Sequence, residues 1–161
     1  ATMLTGELLK LMAGIELQQV PYKGGAPLMS DVVGGHIPLA VTSVTTVMPF
    51  YKSQKLRVLG VTSKQRSGAM PEVPTIAEAG VPGYEVLSWY VILGPKGMPK
   101  TIAERLQREV AKIVAAPAMK ERFDTLGAEA AATTPDETAA IMKADMEKWA
   151  GVIQKVGIKP Q

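Results

Sequence analysis

The chain of 161 residues has no cysteine, which excludes disulfides, thiol catalysis and thiolate metal sites. This absence does not fix the compartment, because many exported bacterial proteins also lack cysteine. Aromatic residues make up only 5%. No dense basic stripe accompanies the net charge of +3 and pI of about 9.1. Basic residues stand singly among acidic ones, as in Lys100-Thr101-Ile102-Ala103-Glu104-Arg105, so nucleic acid is not an expected partner. There is one histidine, His36. With no second ligand residue or Asp-Ser pattern beside it, it reads as a surface or turn residue and not as a general base. No apolar run is long enough to span a bilayer. No basic segment followed by an apolar core opens the chain, so no signal peptide is visible in it. Gly-x-Ser-x-Gly and Walker-type patterns are missing, and no motif unites a nucleophile, a base and an oxyanion site. Enzyme activity, a cofactor and a metal are therefore not expected.

What remains is a composition suited to a packed core. Apolar residues are 47% and charged residues 20%, and the length fits one domain or two small lobes. The pattern alternates. Thr2 suits an N-cap, Leu4, Leu8, Leu11 and Met12 share a helix face, and Gly14 suits the stop. Strands are expected near Glu16–Pro21, over Ile37–Val41 (at an edge or bulge because of Pro38), over Leu56–Thr62 and over Glu85–Leu93. Between them lie a helix from about Pro27 to Val33 and one capped by Ser43 that runs through Phe50 to Lys52, with Pro49 as kink or boundary.

Capping-box spacing recurs at Thr75–Glu78, opening a very short helix, and at Thr101–Glu104. Ile102, Leu106, Val110, Ile113 and Val114 form one apolar stripe, and Pro117 starts a shorter helix through Leu126. Thr134-Pro135-Asp136-Glu137 combines an N-cap, a first-turn proline and an acidic third position, the strongest helix start in the chain. Met142, Met146 and Trp149 are expected in the core. Alternating strands and helices predict α/β layers, without a strand ahead of the first helix.

The most informative segment is Gln19-Val20-Pro21-Tyr22-Lys23-Gly24-Gly25-Ala26-Pro27. It reads as strand end, glycine turn and helix start, with Pro27 in the first turn where its missing amide does no harm. Gly24 and Gly25 allow a sharp bend and leave N–H groups uncovered. Free amides at a helix N-terminus attract anions, and Lys23 adds a positive charge. From residue chemistry alone two readings stand open: a carboxylate or phosphate cradle, or a plain tight turn. Lys23 either sits by an anion or solvates the turn, and Tyr22 either walls a cleft or packs beneath. Thr2 and Ser43 read first as helix caps, a role compatible with ligand contact.

Several segments, in order, resemble the extracytoplasmic substrate-binding receptors of tripartite tricarboxylate transporters, the Bug family. They are Thr5-Gly6-Glu7-Leu8-Leu9-Lys10, Val20–Pro27, Leu56–Ser63, Pro71–Gly80 with Pro82-Gly83-Tyr84, Trp89-Tyr90, Pro95–Pro99, Leu126–Glu129, Thr134–Glu137 and Val156–Pro160. The resemblance implies an α/β, two-lobed Venus-flytrap receptor of the type II periplasmic binding-protein class, here incomplete, because the chain matches only the C-terminal half of such receptors. It implies that residues 1–88 supply most of the second, ligand-binding lobe, and that residues 89–161 cross back to complete the first. It also implies a periplasmic location, a small carboxylate ligand and membrane permease subunits as partners. Carried over position by position, the ligand-binding residues would be Thr2, Tyr22, Lys23, Gly24, Gly25, Ala26, Thr42 and Ser43. Thr42 and Ser43 stand where many relatives carry Asp followed by Asn, which replaces a charge with two hydroxyls. Met3 and Val91 depart from a common His and Gly. A half-receptor would also expose apolar surface, so self-association into a homodimer, with exchange of C-terminal helices, is the alternative expectation.

Overall fold

The computed structural model describes residues 2–157, so Ile158, Lys159 and Pro160 of the closing motif lie outside the described residues. Six helices follow in order: α1 (Thr2–Ala13), α2 (Gly25–Val33), α3 (Val44–Lys52), α4 (Lys100–Ala115), α5 (Pro117–Leu126) and α6 (Pro135–Val156). Thr2 is the first helical residue of α1, not its cap. Gly14, at φ +65°, ends α1 as its composition predicted.

Helix starts follow local chemistry where a side chain reaches back. Ser43 caps α3 with extended backbone and accepts from the Thr46 N–H. Thr134 caps α6, and Glu137 closes the capping box by accepting from the Thr134 backbone N–H at 2.8 Å. Those bonds hold the Glu137 carboxyl below its ordinary range. The expected box at Thr101 does not form. Helix α4 already begins at Lys100 behind Pro99, so Thr101 lies inside the first turn, and Glu104 pairs with Lys100 at 3.8 Å instead. The Thr75–Glu78 box does close, with reciprocal bonds of 2.9 and 3.0 Å. It closes over a turn and not over a helix.

None of the expected strands forms a ladder among the described residues. One isolated parallel bridge joins Val61 to Thr75. Val61 N–H donates to the Pro74 carbonyl, Ile76 N–H donates back to Val61, and Val86 N–H reaches the Thr62 carbonyl at 2.7 Å. A strand is defined by repeated pairing with a neighbour. These apolar segments have at most a few such bonds, so their β-like pattern does not become a sheet.

Two small cores result. Leu8 of α1, Tyr84, Val86 and Val152 of α6 form one, with Trp149 and Val156 packed against it. Tyr84 is fully buried, and its hydroxyl donates to the Thr5 carbonyl at 2.9 Å. Burial pushes its phenol up to about 12. Met48 of α3, Val61, Met70 and Val73 form the other. Met146 is 70% exposed, against the expectation of a core position. Along the 22 residues of α6 the apolar side drifts, and only its later turns meet the α1 cluster. Helix α5 ends at Gly127, at φ +69°. A Cβ there would lie 2.5 Å from Val44 Cγ1 and 2.6 Å from Met48 Cε, so only glycine lets α5 close against α3.

Candidate functional site

The glycine turn and the loop after Val41 meet through their helices. Gly24 is the N-cap of α2 at φ +109° and ψ 175°, a conformation that favours glycine. Lacking a side chain, it gives α2 no side-chain cap, so among the described residues no capping side chain covers the first-turn amides. Gly25 follows, and a Cβ there would lie 2.8 Å from Thr46 Cγ2. The first turn of α2 therefore rests directly on the first turn of α3. Met29 of α2 and Met48 of α3 are both buried.

On the α3 side, the Ser43 hydroxyl lies 2.9 Å from the Thr45 hydroxyl and 2.8 Å from that of Thr46. The Thr46 N–H reaches Ser43 Oγ only at 3.4 Å, a long cap bond. Neither helix carries an acidic residue in its first turn. Two helix N-termini, each equivalent to about half a positive charge, thus sit side by side without a neutralising carboxylate of their own. Three hydroxyls stand at the α3 end, and the exposed Lys23 immediately precedes the α2 cap in the chain. Such an arrangement suits a small anion, above all a carboxylate that accepts several hydrogen bonds.

The residues expected at the site are largely brought together. Gly24, Gly25 and Ala26 form the α2 end, Thr42 and Ser43 lead into α3, and the Gly25–Thr46 contact joins them. Lys23 is exposed beside the turn. Tyr22 is held differently from a ligand donor: its hydroxyl donates to Asp31 Oδ2 at 2.7 Å. That bond, then burial, then the Asp31 charge raise its phenol above the ordinary value. Thr2 stands apart at the start of α1, whose packing is against α6, and among the described residues no hydrogen bond ties it to the cradle. His36 is exposed in the turn after α2, where its backbone N–H donates to the Asp31 backbone carbonyl at 2.8 Å.

Sequence reasoning missed Thr45, Thr46 and Asp31. The hydroxyl run Thr42-Ser43-Val44-Thr45-Thr46 was a usable signal for the first two. Asp31 had none, since its partner lies nine residues back across a turn. Two open surface hollows lie elsewhere, one on α5 around Glu121, Arg122 and Leu126, the other around Tyr51, Lys55, Arg57 and Glu72.

Residues 1–158 match the family model described as a tripartite tricarboxylate transporter family receptor. A curated relative from a Pseudomonas species, named for its place in the tcbD–tcbE intergenic region, is 42% identical over 151 residues, covering 93% of this chain and 45% of that relative. The structure of R. palustris Rpa4515 with adipate superposes with a TM-score of 0.90 at 34% identity, covering 99% of this chain and 54% of the other. The periplasmic binding protein BugD superposes with a TM-score of 0.86 at 33% identity, over 100% of this chain and 55% of the other. The chain thus spans about half the length of each of these three relatives.

Proposed function

The chain belongs to the tripartite tricarboxylate transporter family of receptors, and we propose that it contributes one jaw of a periplasmic receptor that captures a small organic acid for the family's membrane permease. Its fold is that of the α/β periplasmic binding proteins, in incomplete form. The single observation that carries the ligand reading is the packing of the α2 and α3 first turns at Gly25 and Thr46, which gathers uncovered amides and hydroxyls around one spot. A relative at 34% identity was solved with adipate, which makes a short aliphatic carboxylate the reasonable ligand class here. In this reading residues 1–88 form most of the ligand-binding lobe, and 89–161 cross back toward the other. The residues that grip the acid are Gly24, Gly25, Ala26, Thr42 and Ser43, with Lys23 as a nearby charge; Thr2, set apart on α1, takes no part in this grip. The role is capture and delivery, not catalysis.

A thermal-shift panel of acetate, succinate and adipate tests this. A ligand at a hundredfold excess over its dissociation constant stabilises by about 2.7 kcal/mol, so at least one acid raises the melting temperature. A flat response to all three contradicts the reading.

A second reading has its own observation. The α4 stripe is largely uncovered, with Ile102 and Leu106 each 49% and Ile113 54% exposed, and Tyr90, Ile92 and Leu93 are more exposed still. Apolar surface of this kind favours association. We expect light scattering at high concentration to report a homodimer, and a clean monomer counts against self-association.

A further inference from the structure

Tyr22 and Asp31 are joined by a 2.7 Å hydrogen bond across the glycine turn. Asp31 lies six positions beyond Gly25, so at 1.5 Å per residue it sits about 9 Å along α2 from the helix start. The phenol of Tyr22 therefore runs back along α2, away from the first-turn amides. Its one donor goes to Asp31. Between the two ends of this link lie residues 23–30, of which Lys23, Gly24 and Gly25 make the turn, and among the described residues no other side-chain hydrogen bond crosses that turn. Two consecutive glycines left to themselves have wide backbone freedom. Asp31 is half-buried on α2, and its backbone carbonyl accepts from the His36 backbone N–H at 2.8 Å.

We propose that Asp31 is a positioning residue for the cradle: by accepting the Tyr22 hydroxyl it straps the Tyr22–Gly25 turn to α2 and holds the first-turn amides in the conformation that receives an anion. The inference rests on the cradle reading above. It assigns Tyr22 a role through the strap, not as a donor to the acid. It also gives Asp31, absent from the expected site, a specific task. An asparagine at position 31 keeps an oxygen acceptor and so keeps the strap; an alanine does not.

The test is the backbone mobility of Gly24, Gly25 and Ala26 in the whole chain, read as NMR order parameters without any carboxylate present. Wild type and Asp31→Asn give values near the rigid range of about 0.85, whereas Tyr22→Phe and Asp31→Ala fall toward the flexible range below about 0.6. All variants keep the wild-type melting temperature, which separates a local strap from global stability. For wild type that binds succinate, Tyr22→Phe and Asp31→Ala each weaken binding about tenfold and the double variant weakens it no further. Unchanged order parameters in Tyr22→Phe, or Asp31→Asn as loose as Asp31→Ala, overturn the proposal. Because the mobility is measured without ligand, it decides the strap separately from the acid panel that decides the cradle.

Discussion

Helices α2 and α3 and helix α4 are all amphipathic, yet they end in opposite circumstances. The first pair is short, nine residues each, and each buries a methionine and rests on the other at Gly25 and Thr46. Helix α4 has 16 residues and a well-formed apolar stripe but no buried residue. A helical period tells which side chains share a face. Whether anything covers that face depends on tertiary partners, which the period does not encode. The ligand reading belongs to the covered pair, and the association reading to the uncovered helix.

The sharpest way to break this contrast is a matched pair of truncations. Met70→Ala, in the core beneath α3, costs about 2–5 kcal/mol because a fully buried side chain leaves a cavity. Met146→Ala, on the exposed side of α6, stays within about 0.5 kcal/mol. Chemical denaturation measures both, and equal losses would mean that the two regions are not distinct. Next in size is Gly127→Ala. It must hold a left-handed backbone, at roughly 1–2 kcal/mol, and it drives a methyl into Val44 and Met48. With overpacking added, the total loss is about 2–4 kcal/mol. A neutral result would show that α5 does not close on α3.

Thr134→Ala removes the α6 cap and costs about 1 kcal/mol by the same measurement. A further effect is one of pH. Tyr84 has an ordinary phenol value of 10.0 when unfolded and about 12 when buried, so the folded state holds its proton more tightly. Its contribution is complete below pH 10 and is lost as the pH rises toward about 12. Tyr84→Phe flattens that alkaline limb. A variant whose alkaline unfolding matches wild type would show that Tyr84 is not the responsible group.

The same contrast explains what could be read beforehand. Ser43 and Thr134 were legible as caps because capping is local, decided within four residues. Gly14 was legible as helix punctuation for the same reason. The strands were not, because a run such as Leu56–Thr62 becomes a strand only against a paired neighbour, and here only Val61 finds a bridge. Met146 was misplaced because α6 outruns the cluster it packs on. Thr101 was misplaced because Pro99 starts α4 two residues earlier than the capping pattern indicated. Within the site, the glycine turn and Ser43 were visible, while Asp31 was hidden because its partner is set by the fold of the turn and not by spacing on one helix.

The central claim is that the adjoining first turns of α2 and α3 receive a carboxylate. The most direct measurement is an NMR titration with succinate that follows backbone amides along the chain. Saturable shifts are expected, centred on Gly24, Gly25, Ala26, Thr45 and Thr46, with the amides of α4 unmoved. Shifts centred on α4, or none at the two first turns, would contradict it.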